Sequence, residues 1–315
     1  MKIGIIGPGA LGCLFASKLF LAKDTRDRIL LIDHRDARAD SLNSKGITFE
    51  SATTGQQQLA IPVSSKPADV GPLDVLFSCV KSYQLDRSIT FAAPLLSPTT
   101  LLIFLQNGIN HLKYGNRLPR GIPVLATSSE GATRIASGHI RHAGSGQTFL
   151  GFLSPQEQTT CNKLSAIQSL LKKGGISCTV SKDIRSRIWA KLFINVGINA
   201  LTAIHNIPNG RLLTSDPVLQ QLKGLVGEAE QVAIASGISI QEDPVAATLT
   251  VCKHTAENVS SMLQDVRNHR PTEIDAINGA ISQLGRNYNI ATPLNDSIAS
   301  QIRDIEGTYN EHQQL

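Results

Sequence analysis

Apolar residues along this chain follow two regimes. Up to about residue 181, short unbroken apolar runs alternate with stretches of helical periodicity. KIGII (2–6), ILLID (29–33), DVLFSCV (74–80), TLLIFLQ (100–106) and IPVLATS (122–128) have strand length, and TFLGFL (148–153) and ISCTV (176–180) are shorter examples. After the first run, an amphipathic helix is expected to reach about Lys23. Continuous apolar strands alternating with helices predict a mostly parallel sheet, covered on both faces. From Asp183 onward helical periodicity continues nearly to the end, interrupted by turn signals at IPNG (207–210), SGIS (236–239), RPTE (270–273) and ATP (291–293). Thr292 before Pro293 predicts a helix start with a hydroxyl cap. The expected organisation is an α/β domain over 1–181 and an all-helical domain over 182–315.

Composition narrows the function classes. The chain has 315 residues, 41% hydrophobic and 17% charged, as an ordinary two-domain globular protein would. No uninterrupted apolar run approaches the roughly 20 residues of a membrane span. The N-terminal MKIGIIGPGALG breaks its apolar run with glycines and a proline, unlike a signal peptide, so a cytoplasmic location is expected. Five scattered cysteines without a C-x-x-C pair suit neither a disulfide framework nor a zinc site, and the histidines lack metal-ligand spacing. Net charge is +5 and the pI about 9.0, but the basic residues are spread out and only 4% of residues are aromatic. That balance argues against a nucleic-acid groove and fits a small anionic ligand.

Chemistry concentrates in a few places. Gly7, Pro8, Gly9, Ala10, Leu11 and Gly12 form a G-x-G-x-x-G turn between a strand and a helix, with Asp33 about 20 residues beyond, the spacing of a Rossmann-type dinucleotide-binding unit. Gly7 permits the tight turn, Gly9 the approach of a pyrophosphate, and Gly12 the close packing of helix on strand. Asp33 suits the ribose hydroxyls of NAD, whereas Arg35 and Arg38 could grip the extra phosphate of NADP or pair with Asp36 or Asp40. Lys81 and Asn107 follow apolar strands, at the end where parallel sheets bind ligands; Asn107–Gly108 is also an ordinary turn signal. In WAKLFINVGINALTA (189–203), Lys191, Asn195 and Asn199 recur every four residues on an apolar helix, within an arc of about 80°. Such a stripe is either a solvated edge or a row of ligand-binding groups. HTAENVSSMLQDV (254–266) is expected to be helical, with Val259, Met262 and Val266 on one stripe and Asn258, Ser261 and Asp265 beside it. Glu273 falls at a helix start, where a carboxylate can cap or catalyse.

Together these motifs resemble the ketopantoate reductase (2-dehydropantoate 2-reductase) family over nearly the whole chain. The resemblance rests on GPGALG, QNG (106–108), HIRHAGSG (139–146), WAKLFINVGINALTA followed by PNG, AENVSSMLQDV, and RPTEIDAING. It implies NADPH-dependent reduction of 2-dehydropantoate to (R)-pantoate in pantothenate biosynthesis, with Lys191 as proton donor and Glu273 also in catalysis. It further implies substrate contacts at Asn107, Asn195, Asn199, Asn209, Asn258 and Ser261, and cofactor contacts at Lys81, Asn107, Ala132 and Glu273. The chain departs from many family members at Asp33, which leaves NAD(H) open beside NADP(H). A reductase of another branched 2-keto acid would use the same groups, and a non-catalytic dinucleotide-binding regulator would need neither Lys191 nor Glu273. A monomer or homodimer acting on a small molecule is expected, without nucleic acid, membrane or metal.

Overall fold

The computed structural model describes residues 1–115 and 118–309 and divides into two compact units, 1–106 with 111–184, and 107–110 with 185–315. In the first unit the strands are β1 (Lys2–Ile6), β2 (Arg28–Ile32), β3 (Ile47–Ser51), β4 (Gly55–Leu59), β5 (Val63–Ser64), β6 (Val75–Ser78), β7 (Leu101–Phe104), β8 (Ile122–Ser128), β9 (Gly131–Ala136), β10 (His139–Gly144), β11 (Gln147–Gly151) and β12 (Ser177–Val180). Eight form one sheet in the order β12–β11–β8–β7–β6–β1–β2–β5. Pairing is parallel from β5 across to β8; β11 runs antiparallel to β8 and parallel to β12. Every residue of β6 and β7 is buried, which is why these strands read as unbroken apolar runs. From β1 the sheet first grows through β2 to β5, then resumes on the other side with β6. The carboxyl ends of β1 and β6 therefore flank a topological switch point, where sheets of this type bind ligands.

A second sheet, β4–β3–β10–β9, has no counterpart in the apolar pattern. Its strands are short; β4 reads GQQQL with two of its three glutamines exposed, and half of β9 is exposed, so a period of two leaves little trace. This sheet also corrects the expectation of an amphipathic first helix. The helix Ala10–Ala22 packs against β1 and β2 and also against β3, β9 and β10. Cys13, Leu14, Phe15, Ala16 and Ser17 are all buried, covering every direction around its axis. A helix enclosed by two sheets needs no polar face.

The second unit is helical: Ile184–His205, Asp216–Ala235, Pro244–His254, Ser261–Arg267, Asn278–Tyr288 and Pro293–Gly307. By length and composition Ile184–His205 could cross a membrane, but 67% of its most apolar window is buried inside the protein, as in a core helix. The stretch expected to be helical through 254–266 is broken instead. One helix ends at His254, residues 255–260 form a loop, and Ser260 starts the next helix by accepting a hydrogen bond from Leu263 N at 3.1 Å. Thr255 closes the first of these helices, its backbone N–H and its hydroxyl both donating to the Val251 carbonyl, at 2.9 and 2.7 Å.

Pro293 does start a helix, but Thr292 makes no capping bond. Glu228, on Asp216–Ala235, caps it from a neighbouring helix: Oε1 accepts from Leu294 N at 2.9 Å, and Oε2 from Asn295 N at 2.9 Å and Asn295 Nδ2 at 2.8 Å. A carboxylate at a helix N-terminus is also favoured by the helix dipole. We expect Glu228→Ala to lower the unfolding free energy by about 2 kcal/mol, the scale of a lost cap with charge-assisted bonds. Urea denaturation would show a lower midpoint at unchanged slope, and an unmoved midpoint would dismiss the capping role.

Candidate active site

The long helix Ile184–His205 carries Lys191, Asn195 and Asn199 on one face without a break. Lys191 and Asn195 are half-buried and Asn199 is buried, so the stripe is not a solvated edge. Lys191 Nζ donates to Asn107 Oδ1 at 2.8 Å, and Asn107 Nδ2 donates to Glu273 Oε2 at 2.9 Å. One amide thus bridges an ammonium and a carboxylate, its carbonyl toward the cation and its NH₂ toward the anion, the orientation both charges require. Burial lowers the Lys191 pKa to about 8, while the nearby Glu273 carboxylate pulls it back upward. At neutral pH such a lysine still holds its proton, yet releases it far more readily than an exposed one.

Asn107 reaches this position because of the glycine after it. Gly108 has φ +76°, and a Cβ there would lie 1.9 Å from the Ala276 carbonyl oxygen. The same oxygen accepts from Ile109 N at 3.2 Å, so 107–110 lies tightly against the segment that follows Glu273. The Asn-Gly turn and the placement of the amide are one feature. Glu273 itself is buried and makes no capping bond to the short turn Ile274–Ala276. The Thr272 hydroxyl accepts from Ile274 N instead, at 3.2 Å, while the Glu273 carboxylate accepts from Asn107 Nδ2 at 2.9 Å.

Asn209, Asn258 and Ser261 gather around the loop 255–260. Asn209 is buried, donates from Nδ2 to Thr255 Oγ1 at 2.9 Å, and donates from its backbone N–H to the Asn258 carbonyl at 3.0 Å. Asn258 and Ser261 are exposed, Ser261 in the first turn of its helix. These residues combine a proton donor of lowered pKa with amides and a hydroxyl that can hold carboxylate and hydroxyl oxygens without competing for the proton.

In the first unit the glycine turn closes the carboxyl end of β1. Gly7 has φ +90°, and a Cβ on Gly12 would lie 2.1 Å from the Gly7 carbonyl oxygen, so this turn tolerates no side chain there. Beside Gly9 nothing approaches within 4 Å of where a Cβ would be. That open space adjoins the N-terminus of Ala10–Ala22, whose first-turn N–H groups have no acceptor within the helix and whose first turn holds no acidic residue. Pro8, Ala10 and Leu11 complete the turn, and its shape and donors fit a pyrophosphate. Asp33 directly follows β2, its carboxylate fully buried; Arg38 Nε donates to Oδ2, and Arg35 N to Oδ1 at 3.3 Å. Arg35 itself is exposed. Lys81 lies half-buried just after β6, and Gln106 ties that loop to the end of β7, donating to the Ser78 carbonyl at 2.9 Å and the Val80 carbonyl at 3.2 Å. Ala132 lies on β9. Opposite it on β10, His142 bonds Glu130 at 2.7 Å, and Glu130 also accepts from Gly146 N at 3.2 Å. The His142–Glu130 pair ties the HIRHAGSG stretch to the residue before β9, and it carries no local sequence signal because the two residues meet only across the second sheet.

Known proteins resemble the chain along its whole length. A family model described as "Ketopantoate reductase PanE/ApbA" matches residues 3–155, and one described as "Ketopantoate reductase PanE/ApbA C terminal" matches 183–306. The 2-dehydropantoate 2-reductase of Vibrio cholerae is 30% identical over 99% of this chain and 100% of its own. That of Halobacterium salinarum is 29% identical over 96% and 98%. Among solved structures, a PanE/ApbA family ketopantoate reductase from Ralstonia eutropha superposes with a TM-score of 0.88 at 27% identity, covering 98% of this chain and all of the other. A D-mandelate dehydrogenase, solved with NADH and anilino(oxo)acetate, superposes with a TM-score of 0.89 at 25% identity, covering 98% and 99%.

Proposed function

Because the chain belongs to the ketopantoate reductase family of NAD(P)H-dependent oxidoreductases, we propose that it reduces 2-dehydropantoate to (R)-pantoate with NADPH, in pantothenate biosynthesis. The observation that carries the proposal is the Lys191–Asn107–Glu273 chain. When bound, the nicotinamide supplies a hydride for the ketone carbon. Lys191 then acts on the ketone oxygen: its ammonium neutralises the developing negative charge and its Nζ gives up the proton. Glu273 acts through Asn107 to hold Lys191 in place, and the same amide contacts cofactor and substrate. Asn195, Asn199 and Asn209 bind the substrate's oxygens, and Ser261 with Asn258 holds its carboxylate. Mounting the acid on a helix keeps its geometry tight. Gly7 to Gly12, Lys81 and Ala132 hold the dinucleotide.

A second reading, reduction of another 2-keto acid, is favoured by the likeness to D-mandelate dehydrogenase. Steady-state turnover of 2-dehydropantoate, other branched 2-keto acids and phenylglyoxylate, each with NADPH and NADH, separates the two. We expect the highest kcat/KM for 2-dehydropantoate; a tenfold advantage for a keto acid without its hydroxyl would establish the second reading.

NADPH is proposed despite Asp33, because the carboxylate is buried and its charge is compensated by Arg38. Arg35 then meets the 2′-phosphate, with the outer nitrogens of Arg38 beside it. We expect Asp33→Ala to strengthen a modest NADPH preference, and Arg35→Ala with Arg38→Ala to cut kcat/KM for NADPH at least tenfold while NADH changes less than threefold. A parent enzyme preferring NADH more than tenfold, with silent arginine changes, would make Asp33 the ribose ligand.

A further inference from the structure

The polar stripe on the long helix does not end at Asn199. Thr202 lies eleven residues beyond Lys191, which returns it to within about 20° of that lysine around the axis. It is fully buried, and its Oγ1 lies 2.7 Å from Ser260 Oγ and 2.9 Å from the Ile198 and Asn199 carbonyl oxygens. Ser260 Oγ in turn accepts from Leu263 N at 3.1 Å. A continuous path of hydrogen bonds thus runs from the helix bearing Lys191, through two hydroxyls, to the first turn of the helix that begins with Ser261.

The other end of the same loop is also fastened. Gly210 N donates to the Ala256 carbonyl at 2.9 Å and Asn209 N to the Asn258 carbonyl at 3.0 Å. Residues 255–260 therefore lack regular structure but are pinned at both ends. A loop fixed in this way has met its ordering entropy before a ligand arrives, so binding need not supply it.

From this geometry we infer that Thr202 is a positioning residue for substrate binding, holding Ser260 and thereby setting where the Ser261 hydroxyl and Asn258 are presented. The inference rests on the proposed role of Ser261 as carboxylate ligand. Thr202 touches neither reacting atom; it acts through Ser260. Removing its hydroxyl should loosen the loop and weaken ground-state and transition-state binding alike, which raises KM and spares kcat.

The test uses Thr202→Val, Thr202→Ser, Ser260→Ala, the Thr202→Val/Ser260→Ala double variant and Ser261→Ala in the full-length enzyme. Each is assayed with 2-dehydropantoate and NADPH, alongside thermal unfolding and a fluorescence titration of NADPH binding. We expect Thr202→Val to raise KM for the keto acid about fivefold, the equivalent of one lost hydrogen bond, with kcat within twofold and NADPH affinity unchanged. Thr202→Ser should restore KM, and the double variant should have the KM of Ser260→Ala alone, because both changes cut the same path. An unchanged KM in Thr202→Val while Ser261→Ala raises it, a serine variant that fails to rescue, or additive effects in the double variant would overturn the inference. If Ser261→Ala leaves KM unchanged, the carboxylate assignment falls instead, and Thr202→Val should then be silent too.

Discussion

Lys191→Ala is expected to fold normally, to keep its affinity for NADPH, and to lose about 10²-fold or more in kcat, the usual scale for removing a general acid. Removing the ammonium lifts its own burial cost but leaves the buried Glu273 carboxylate without that cation, so the fold is kept at a somewhat lower thermal midpoint. The parent enzyme carries a companion signature. A lysine with a pKa of about 8 is protonated below that value, so kcat/KM should hold at neutral pH and fall as pH rises through about 8. Glu273 raises that pKa, so Glu273→Gln should move the alkaline limb to lower pH. Turnover within threefold of the parent in Lys191→Ala, or an alkaline limb that Glu273→Gln leaves in place, would assign the proton to another group.

Gly108→Ala is also expected to lower turnover, by a smaller factor and without touching a reacting group. The new Cβ would fall 1.9 Å from the Ala276 carbonyl oxygen, on a backbone with φ +76° that side chains rarely adopt. The atoms it would meet are the Ala276 carbonyl and Cβ, with no flexible side chain to give way, so 107–110 must lift from the segment after Glu273. Asn107 then loses its hold on both charges. We expect kcat to fall at least tenfold and the thermal midpoint by several degrees, a conformational cost of about 2 kcal/mol. An enzyme with parental kcat and midpoint would mean that the close approach is not needed.

What was legible in the sequence was mostly local. The apolar runs of β6 and β7 announce buried parallel strands, because nothing polar can stand on either face. GPGALG announces its turn because Gly7 and Gly12 each answer a nearby backbone constraint. Lys191, Asn195 and Asn199 stood out because a charge and two amides recur on an apolar helix. What escaped depends on partners far away in the chain. The helix Ala10–Ala22 was expected to have a polar face, since the sheet covering its other side joins β3 and β4 to β9 and β10. That Glu273 bonds Asn107, 166 residues earlier, and does not cap Ile274–Ala276 leaves no trace in its sequence neighbours. Thr292 had the composition of a cap, yet a carboxylate from another helix took the position. The break at 255–260 was signalled weakly, by hydroxyl and amide side chains able to satisfy the backbone themselves.

The insertion of residues 107–110 into the second unit has a consequence for how the chemistry comes into being. Lys191 meets Asn107 across 84 positions and Glu273 meets it across 166, so no contiguous stretch short of 107–273 contains all three. A nascent chain that has not yet emerged past Glu273 lacks the complete Lys191–Asn107–Glu273 chain on which the proposed proton donation depends. A gene split between the units would separate the acid from its amide, leaving Asn107 on one product and Lys191 with Glu273 on the other. Fragments expressed that way should turn over substrate only when recombined.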